Sequence, residues 1–266
     1  MKVGVLGAAG RMGQNLLREI LSKKYGMTLT AAVDHAKSWA IGKDAGDIVG
    51  LGPSGVAIWA DKNKAFAACD VLVDFTTPEG TMEHAALAHQ HQKALVVGTT
   101  GLTSVEEAAL VAAAKKTAVL HSSNMSLGVN LLAALVEQTA KRLDKDYDIE
   151  IYEAHHRHKV DAPSGTALLL SKAAAKGRGV DLQDAMIPAR FGNTGERIPG
   201  SIGFSVFRGG DVIGDHTVTF AGTGERIEFS HKASDRAVFA NGALRAAQWI
   251  NGKPAGLYSM KDVLGV

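Results

Sequence analysis

Residues 2–13 read Lys2-Val3-Gly4-Val5-Leu6-Gly7-Ala8-Ala9-Gly10-Arg11-Met12-Gly13, which predicts a short buried strand, a glycine turn and the start of a helix. Glycines let the backbone turn tightly and approach a pyrophosphate, which binds at the positive end of the helix. Ala9 stands at the middle glycine of the usual G-x-G-x-x-G pattern, so the motif alone is a weak signal. The predicted second strand ends in Asp34, about 20 residues beyond the turn, where a carboxylate would bind the adenosine ribose of a dinucleotide.

Strands and helices alternate through the first half of the chain, which is typical of a doubly wound parallel sheet with helices on both faces. The predicted strands end in polar loops at the carboxyl edge of such a sheet, where ligands of open α/β folds bind. These loops are Gly7–Gly13, Asp34, Asp74–Pro78, Gly98–Gly101 and Ser122–Asn124.

The pattern changes after Ser126, because the later strands alternate apolar and polar side chains. Such alternation predicts a mixed or antiparallel sheet with one open face, and an open face favours association with another subunit. The segments are 148–153, 202–207, 211–220 and 225–230. The last stretch of the chain is again helical, and we expect it to pack on the first domain.

The most unusual stretch is Glu153-Ala154-His155-His156-Arg157-His158-Lys159-Val160-Asp161-Ala162-Pro163-Ser164-Gly165-Thr166. A solvated charged loop is the ordinary interpretation of such a run. We rank it second, because Pro163-Ser164-Gly165-Thr166 stands directly before an apolar run and predicts a helix whose first N–H groups face an anion. A histidine can donate a proton near neutral pH. The run therefore predicts a proton donor beside a carboxylate site.

Composition excludes several classes of function. The chain has 266 residues, 46% of them hydrophobic, and a formal net charge of +2, which gives no global electrostatic case for binding nucleic acid or a membrane surface. The single cysteine, Cys69, excludes an intrachain disulfide and suits a reducing cytoplasm. No apolar run approaches the ~20 residues of a membrane span and no signal peptide is evident, so we predict a cytoplasmic protein. No second group of ligands accompanies the histidines, so we predict no metal.

Taken together, these residues resemble the 4-hydroxy-tetrahydrodipicolinate reductase family over the whole length of the chain. The run 153–166 is the most specific match. Further matches are Gly7–Gly13, Asp74-Phe75-Thr76, Gly98–Gly101, Ser123–Ser126 with Gly128–Asn130, and His231–Ser234.

The resemblance implies a homotetrameric enzyme that uses NADH or NADPH to reduce a small, cyclic, unsaturated dicarboxylate in the diaminopimelate route of lysine biosynthesis. It also implies the fold class: α/β, with a Rossmann-type doubly wound parallel sheet and a second α+β domain on a mixed, largely open-faced sheet. The expected domains are 1–126 plus 234–266 for dinucleotide binding, and 127–233 for substrate binding and tetramerisation.

Residue roles follow from the same resemblance. His155 is expected to be the proton donor and Lys159 the second catalytic residue. The expected substrate-binding residues are His156, Ser164, Gly165 and Thr166. The expected cofactor-binding residues are Gly7, Ala8, Ala9, Gly10, Arg11, Met12, Asp34, His35, Gly98, Thr99, Thr100, Ser122, Ser123, Asn124 and Met125. Two positions depart from the pattern of many members: Ala9 replaces a glycine, and His35 stands where an arginine often follows the acidic residue.

Two alternatives remain open at this point. One is a dehydrogenase of the aspartate-semialdehyde or homoserine type; the first of these needs a thiolate, and Cys69 lies in an unactivated helical context. The other is an NAD(P)-sensing regulator without chemistry, which would have little use for a His-Lys cluster beside an anion-binding turn.

Overall fold

The computed structural model describes residues 1–266 and divides them into two compact units. Unit 1 comprises Met1–Leu127 and Ala237–Gly265, and unit 2 comprises Gly128–Arg236 with Val266. The predicted boundaries, at 126/127 and 233/234, fall close to these. The roles predicted for the two domains stay predictions.

Unit 1 is built on a seven-stranded sheet in the order β12-β6-β5-β4-β1-β2-β3, in which every pairing is parallel. Its strands are β1 (Lys2–Leu6), β2 (Thr28–Val33), β3 (Ile58–Trp59), β4 (Val71–Asp74), β5 (Ala94–Val97), β6 (Ala118–His121) and β12 (Gly256–Tyr258). The order places the first strand beside both β2 and β4, as a doubly wound sheet requires. The predicted Rossmann-type fold is confirmed.

Helices cover both faces of this sheet. They are α1 (Arg11–Leu21), α2 (Lys62–Ala68), α3 (Pro78–His91), α4 (Ser104–Ala114), α8 (Ala237–Ile250) and α9 (Met260–Leu264). On one face, Leu16 and Leu17 of α1 pack with Ala243 and Leu244 of α8 and with Val3 of β1. The central strands are buried on both sides, which is why they read as continuous apolar runs rather than alternating ones. None of the helices combines the length and the apolar composition that a membrane crossing requires.

Two elements of unit 1 were not predicted from the sequence. The last strand, β12, pairs with β6 and extends the parallel sheet, and α9 follows it with Ser259 and Asp262 forming a capping box. Three residues are too few to show a period, so neither an alternating nor a continuous apolar pattern could mark this strand.

Unit 2 carries a five-stranded sheet in the order β11-β10-β7-β9-β8. Its strands are β7 (Asp148–His155), β8 (Met186–Ile187), β9 (Ile202–Arg208), β10 (Gly214–Gly222) and β11 (Glu225–Ala233). Its helices are α5 (Leu127–Arg142), α6 (Gly165–Arg178) and α7 (Leu182–Ala185). β7 pairs in parallel with β9 and antiparallel with β10, so the predicted mixed sheet is confirmed.

Only one face of this sheet is covered by helices of the unit. Leu132 of α5 and Leu170 of α6 pack on Ile149 and Ile151 of β7. Tyr152 directly follows Ile151 on β7 and therefore points to the opposite face of the sheet, where it is 43% exposed. The predicted start of β10 at residue 211 is wrong: the strand begins at Gly214, because the chain turns through Gly210 in the left-handed region (φ 55).

Candidate active site

The glycine turn of unit 1 has no room for side chains at two positions. Gly7 has a φ of 77°, which favours glycine. A Cβ at Gly13 would lie 2.1 Å from the carbonyl oxygen of Gly7, so the first turn of α1 packs directly on the loop before it. Gly10 precedes the helix and offers no side-chain cap. The first N–H groups of α1 thus lack a capping side chain and can bind an anionic group.

Asp34 holds the same turn at the end of β2. Its Oδ2 accepts a hydrogen bond from the Ala9 N–H at 2.7 Å, and its Oδ1 accepts one from the His35 N–H at 2.8 Å. The carboxylate is 8% exposed, whereas the His35 side chain is 72% exposed. Each carboxylate oxygen has a further lone pair, so Asp34 can still accept hydrogen bonds from a ribose.

A cavity of about 630 Å³ lies beside this turn. Five predicted cofactor residues line it: Gly7, Ala9, Gly10, Asp34 and His35. Other lining residues were not predicted from the sequence, among them Trp39, Lys62, Glu83 and His84. The volume, the glycine turn and the carboxylate at the strand end fit the nucleoside part of a dinucleotide.

Local hydrogen bonds and close packing fix the conformation of the predicted cofactor loops after β5 and β6. The Thr99 hydroxyl accepts hydrogen bonds from the Thr76 N–H at 3.2 Å and the Thr81 hydroxyl at 2.8 Å. A Cβ at Gly98 would lie 2.3 Å from the Phe75 ring, so this position requires glycine. The Ser122 hydroxyl donates to the Asn124 carbonyl at 2.7 Å.

The remaining predicted cofactor residues are not among those that line the cavity. Ala8 and Met125 are buried, and Met12 is partly buried. Arg11, Thr100 and Ser123 are exposed at the sheet's carboxyl edge or the start of α1.

In unit 2, strand register brings together side chains that are far apart in sequence. Glu153 and His155 are two residues apart on β7 and therefore point to the same face. Glu153 lies opposite His216 of β10, and His155 lies opposite Arg208 of β9. His216 and Arg208 were not predicted. The alternation of β10 places His216 on the buried face with Val218 and Phe220. A histidine at an apolar position of an alternating strand could have marked His216 as a candidate from the sequence.

His155 is buried to 8% exposure at the end of β7. Its Nδ1 lies 2.5 Å from Oε2 of Glu153. Its Nε2 faces Gly214, where a Cβ would lie 3.1 Å away. Burial lowers the pKa of His155, while Glu153 raises it and Lys159 and Arg208 lower it further. His216 packs edge-on against the ring, with centroids 5.1 Å apart, and burial lowers its pKa to about 4.

The loop after β7 carries Lys159, the predicted second catalytic residue. Lys159 Nζ donates to Asp161 Oδ1 at 2.8 Å, and this hydrogen bond lowers the pKa of Asp161. The lysine side chain is 21% exposed. Arg157 and His158 are exposed. Asp161 thus contacts Lys159 and does not cap the following helix, whose N-cap is Ser164.

The predicted anion-binding helix begins where the sequence placed it. Ser164 is the N-cap of α6, and its hydroxyl accepts from the Ala167 N–H at 3.2 Å and contacts His216 Nε2 at 3.1 Å. Gly165, the first residue of the helix, is exposed. His156 lies on the same loop as Lys159, and its Nε2 is 3.3 Å from Nη2 of Arg236.

Glu153, His155 and His216 each place one ligand atom within 4.8 Å of the others, a spacing that a metal ion could use. Both oxygens of Glu153, however, accept hydrogen bonds from Arg208, and the guanidinium charge opposes a cation at the same place. The cluster is better suited to proton transfer than to metal binding. The predicted absence of a metal stays a prediction.

The fold and these two clusters define a class of protein: a nicotinamide-dependent oxidoreductase with a Rossmann-type unit and a second unit that carries acid–base groups. Family models described as dihydrodipicolinate reductase, N-terminus and C-terminus, match residues 1–125 and 128–264. The chain belongs to the dihydrodipicolinate reductase family.

Curated relatives match over the full chain. The 4-hydroxy-tetrahydrodipicolinate reductase of Rhizobium rhizogenes is 55% identical and that of Burkholderia lata 50% identical. Both alignments cover 100% of this chain, with 97% and 100% of the relatives. A solved structure of dipicolinate-bound dihydrodipicolinate reductase from Paenisporosarcina sp. TG-14 shares the fold, with a TM-score of 0.75, 24% identity and 97% of each chain covered.

The chain is accordingly an NAD(P)H-dependent oxidoreductase that reduces 4-hydroxy-tetrahydrodipicolinate to tetrahydrodipicolinate in the diaminopimelate route of lysine biosynthesis. The predicted family, activity and use of NADH or NADPH are confirmed. The thiolate that an aspartate-semialdehyde dehydrogenase would need is not available here, because Cys69 is 1% exposed and burial raises the pKa of its thiol.

Proposed function

We propose that His155 donates the proton of the reduction from its Nε2 atom and that Lys159 is the second catalytic residue. The observation that carries this proposal is the environment of His155: its Nδ1 is occupied by Glu153, and its Nε2 faces a position without a side chain, Gly214. Because Glu153 occupies Nδ1, Nε2 is the ring nitrogen that remains to donate a proton. Lys159 is close enough for its charge to lower the pKa of His155.

The proposed chemistry divides the work between the bound cofactor and these residues. NADH or NADPH, when bound, supplies the hydride. Loss of water from the hydroxylated substrate gives a ring conjugated to an imine. Hydride addition to this ring leaves negative charge on nitrogen or carbon, which takes up the Nε2 proton of the His155 imidazolium. The Lys159 ammonium holds a substrate carboxylate and stabilises the developing charge. Asp161 keeps the ammonium in place.

We propose that the substrate carboxylates bind at the start of α6 and on the preceding loop. Gly165 and Thr166 form the first turn of α6, at the positive end of the helix dipole, which favours an anionic group. His156 and the neighbouring Arg236 add donors or positive charge. Ser164 supports this site as the helix cap, since its N–H donates to Glu153 and its hydroxyl contacts Ala167 and His216.

The cofactor site proposed in unit 1 consists of the residues predicted from the sequence. These are Gly7–Met12, Asp34 with His35, Gly98–Thr100 and Ser122–Met125. The cavity beside the glycine turn and the Asp34 carboxylate support it.

The direct test of the proposed function is a spectrophotometric assay of NADH and NADPH oxidation with substrate generated in situ. We expect oxidation of either cofactor only when the hydroxylated substrate is present. Oxidation that requires homoserine-type or semialdehyde substrates instead would contradict the proposal.

Pyridine-2,6-dicarboxylate is expected to inhibit competitively with the substrate, because its two carboxylates can bind Lys159 and the start of α6 together. Pyridine-2-carboxylate, which has the same ring and one carboxylate, is the matched control and should bind at least about tenfold more weakly, the effect of losing one charge-assisted contact. Initial-rate kinetics give both inhibition constants. Equal constants would mean that the site does not recognise two carboxylates.

Asp34→Ala is expected to lower kcat/KM with NADH more than with NADPH, by about tenfold in the ratio. The carboxylate accepts hydrogen bonds from the ribose diol of NADH and repels the 2′-phosphate of NADPH, which His35, Lys37 and Arg11 can offset. The ratio is the informative quantity, because loss of the bond from the Ala9 N–H would weaken both cofactors alike. Asp70→Ala is the control, because Asp70 is an exposed aspartate directly before β4 and therefore lies at the amino edge of the parallel sheet, away from the glycine turn. An unchanged ratio in Asp34→Ala would exclude a role for the Asp34 carboxylate in cofactor choice.

We propose that the chain is a cytoplasmic homotetramer held by the uncovered face of the unit 2 sheet. Tyr152 and Phe207 are 43% and 46% exposed on that face, and apolar exposure on a sheet face favours a subunit interface. Light scattering at assay concentration should give four times the chain mass. A stable monomer would contradict this proposal.

A further inference from the structure

Glu153 is fully buried, with 0% exposure, and in the chemistry described above it neither binds the substrate nor transfers a proton. Its carboxylate accepts hydrogen bonds from Nδ1 of His155 at 2.5 Å and from the Ser164 N–H at 3.1 Å. Arg208 donates to both oxygens, at 2.9 and 2.8 Å. A buried carboxylate is costly unless it is paired and hydrogen-bonded. Arg208 supplies the paired charge here, and the other two partners are the proposed acid, His155, and the cap of the anion-binding helix, Ser164.

We propose that Glu153 is the positioning residue of the proton donor: it holds the Nδ1–H of His155 and thereby directs the Nε2–H to the substrate. The inference rests on the proposed role of His155. In the imidazolium both nitrogens carry a proton. The Nε2–H bond breaks and its proton passes to the substrate, the Nδ1–H stays hydrogen-bonded to Glu153, and the ring is left neutral in one defined tautomer. A freely rotating ring would present either nitrogen, and part of the population would be unproductive.

Arg208 extends this arrangement to the second catalytic residue. Its Nη2 donates to Oε1 of Glu153 and also to the Asp161 carbonyl at 2.7 Å. The Asp161 carboxylate in turn accepts from Lys159. One guanidinium therefore connects the residue that orients His155 with the residue that holds Lys159, so the two catalytic groups are fixed relative to each other.

The charged groups around His155 shift its pKa in opposite directions. Among the groups that bear on His155, Glu153 favours the imidazolium, whereas Lys159 and Arg208 oppose it. His216, which packs on the ring from β10, has a pKa of about 4 and is neutral at neutral pH. Burial raises the pKa of Glu153, but the hydrogen bonds from Arg208 and His155 outweigh burial and hold it below its ordinary value. Glu153 is thus ionised at neutral pH.

The test is Glu153→Gln, which keeps the shape of the side chain and removes its charge. Loss of the charge lowers the pKa of His155, and the acid form of His155 is the active one. The basic limb of the pH profile of kcat should therefore move to lower pH, by about one unit. We expect kcat at neutral pH to fall about 10- to 100-fold, as for loss of an orienting hydrogen bond to a catalytic group. The Kd for NADH should not change.

Glu150→Gln is the matched control. Glu150 lies on the same strand, three residues away, and therefore faces the other side of the sheet; it pairs with Arg190 and Arg197 and has no contact with His155. This variant loses an ion pair of the same kind and should keep the wild-type basic limb. A shift in both variants would mean that general loosening of β7, rather than Glu153, moves the profile.

A second variant covers the case in which Glu153→Gln does not fold. Glu153→Asp keeps the charge but withdraws it by one methylene, so kcat should fall while the basic limb moves less. A folded Glu153→Gln, or failing that Glu153→Asp, with wild-type kcat and an unmoved limb would overturn the positioning role. His155→Gln measured in parallel separates the two hypotheses: if it also keeps wild-type kcat, the assignment of the acid has failed instead.

Discussion

His155→Gln is expected to lower kcat about 10²–10⁴-fold, the range that general acid catalysis contributes. Glutamine retains a hydrogen-bonding amide of similar size at the end of β7 but cannot deliver a proton at neutral pH. The Kd for NADH should be nearly unchanged, because the cofactor site proposed in unit 1 does not include this residue. Steady-state kinetics and a cofactor-binding titration measure the two quantities separately.

His158→Gln is the control for this experiment, since His158 is an exposed histidine of the same loop and is assigned no role. Its kcat should stay within a few-fold of the wild-type value. If His155→Gln behaved in the same way, the loop would be a solvated basic segment or the acid would be another group. His156, whose ring lies 6.2 Å from that of His158, is then the next histidine to replace.

Lys159→Ala is expected to impair both turnover and substrate affinity. The ammonium would hold a carboxylate in the ground state and stabilise charge in the transition state, so its removal should raise KM and lower kcat together. A hydrogen bond to a charged group contributes about 1.5–3 kcal/mol, which corresponds to a loss of about 10- to 150-fold in kcat/KM. The measurement is a substrate titration at saturating NADH.

Lys172→Ala is the matched control, because Lys172 is an exposed lysine of α6 on the helix that begins at the proposed carboxylate site. Its removal changes the net charge by the same amount and should leave KM unchanged. A Lys159→Ala enzyme with the same KM and kcat as Lys172→Ala would show that the Lys159 ammonium touches neither the substrate nor the transition state.

Much of unit 1 could be predicted because parallel strands buried on both faces have a distinctive sequence pattern. Val71-Leu72-Val73 can only be a buried strand or a short piece of buried helix, and the polar residues at its end point to strand. The short β12 could not be found in this way, because its three residues pair with β6 through backbone contacts that no side-chain pattern reports.

The residues of the candidate site also differ in how far the sequence predicts them. His155, Lys159 and Ser164 fall in one continuous run, so their proximity follows from sequence alone. Arg208 and His216 come from strands more distant in the chain, and only the register of β9 and β10 against β7 places them opposite His155 and Glu153. Register depends on which residues bury together across a sheet, and a single sequence does not contain that information.

Unit 1 is formed by two separate segments of the chain, Met1–Leu127 and Ala237–Gly265. Ala240, Ala243 and Leu244 of α8 belong to the same core as Val3 and Leu16, and β12 completes the edge of the sheet. During synthesis, domains fold as their residues emerge from the ribosome. Residues 128–236 make up all of unit 2 except Val266, so nearly the whole of that unit emerges before unit 1 has all of its core. We therefore expect residues 128–236 to be able to fold first during synthesis, while the core of unit 1 stays incomplete until residues 237–265 have emerged.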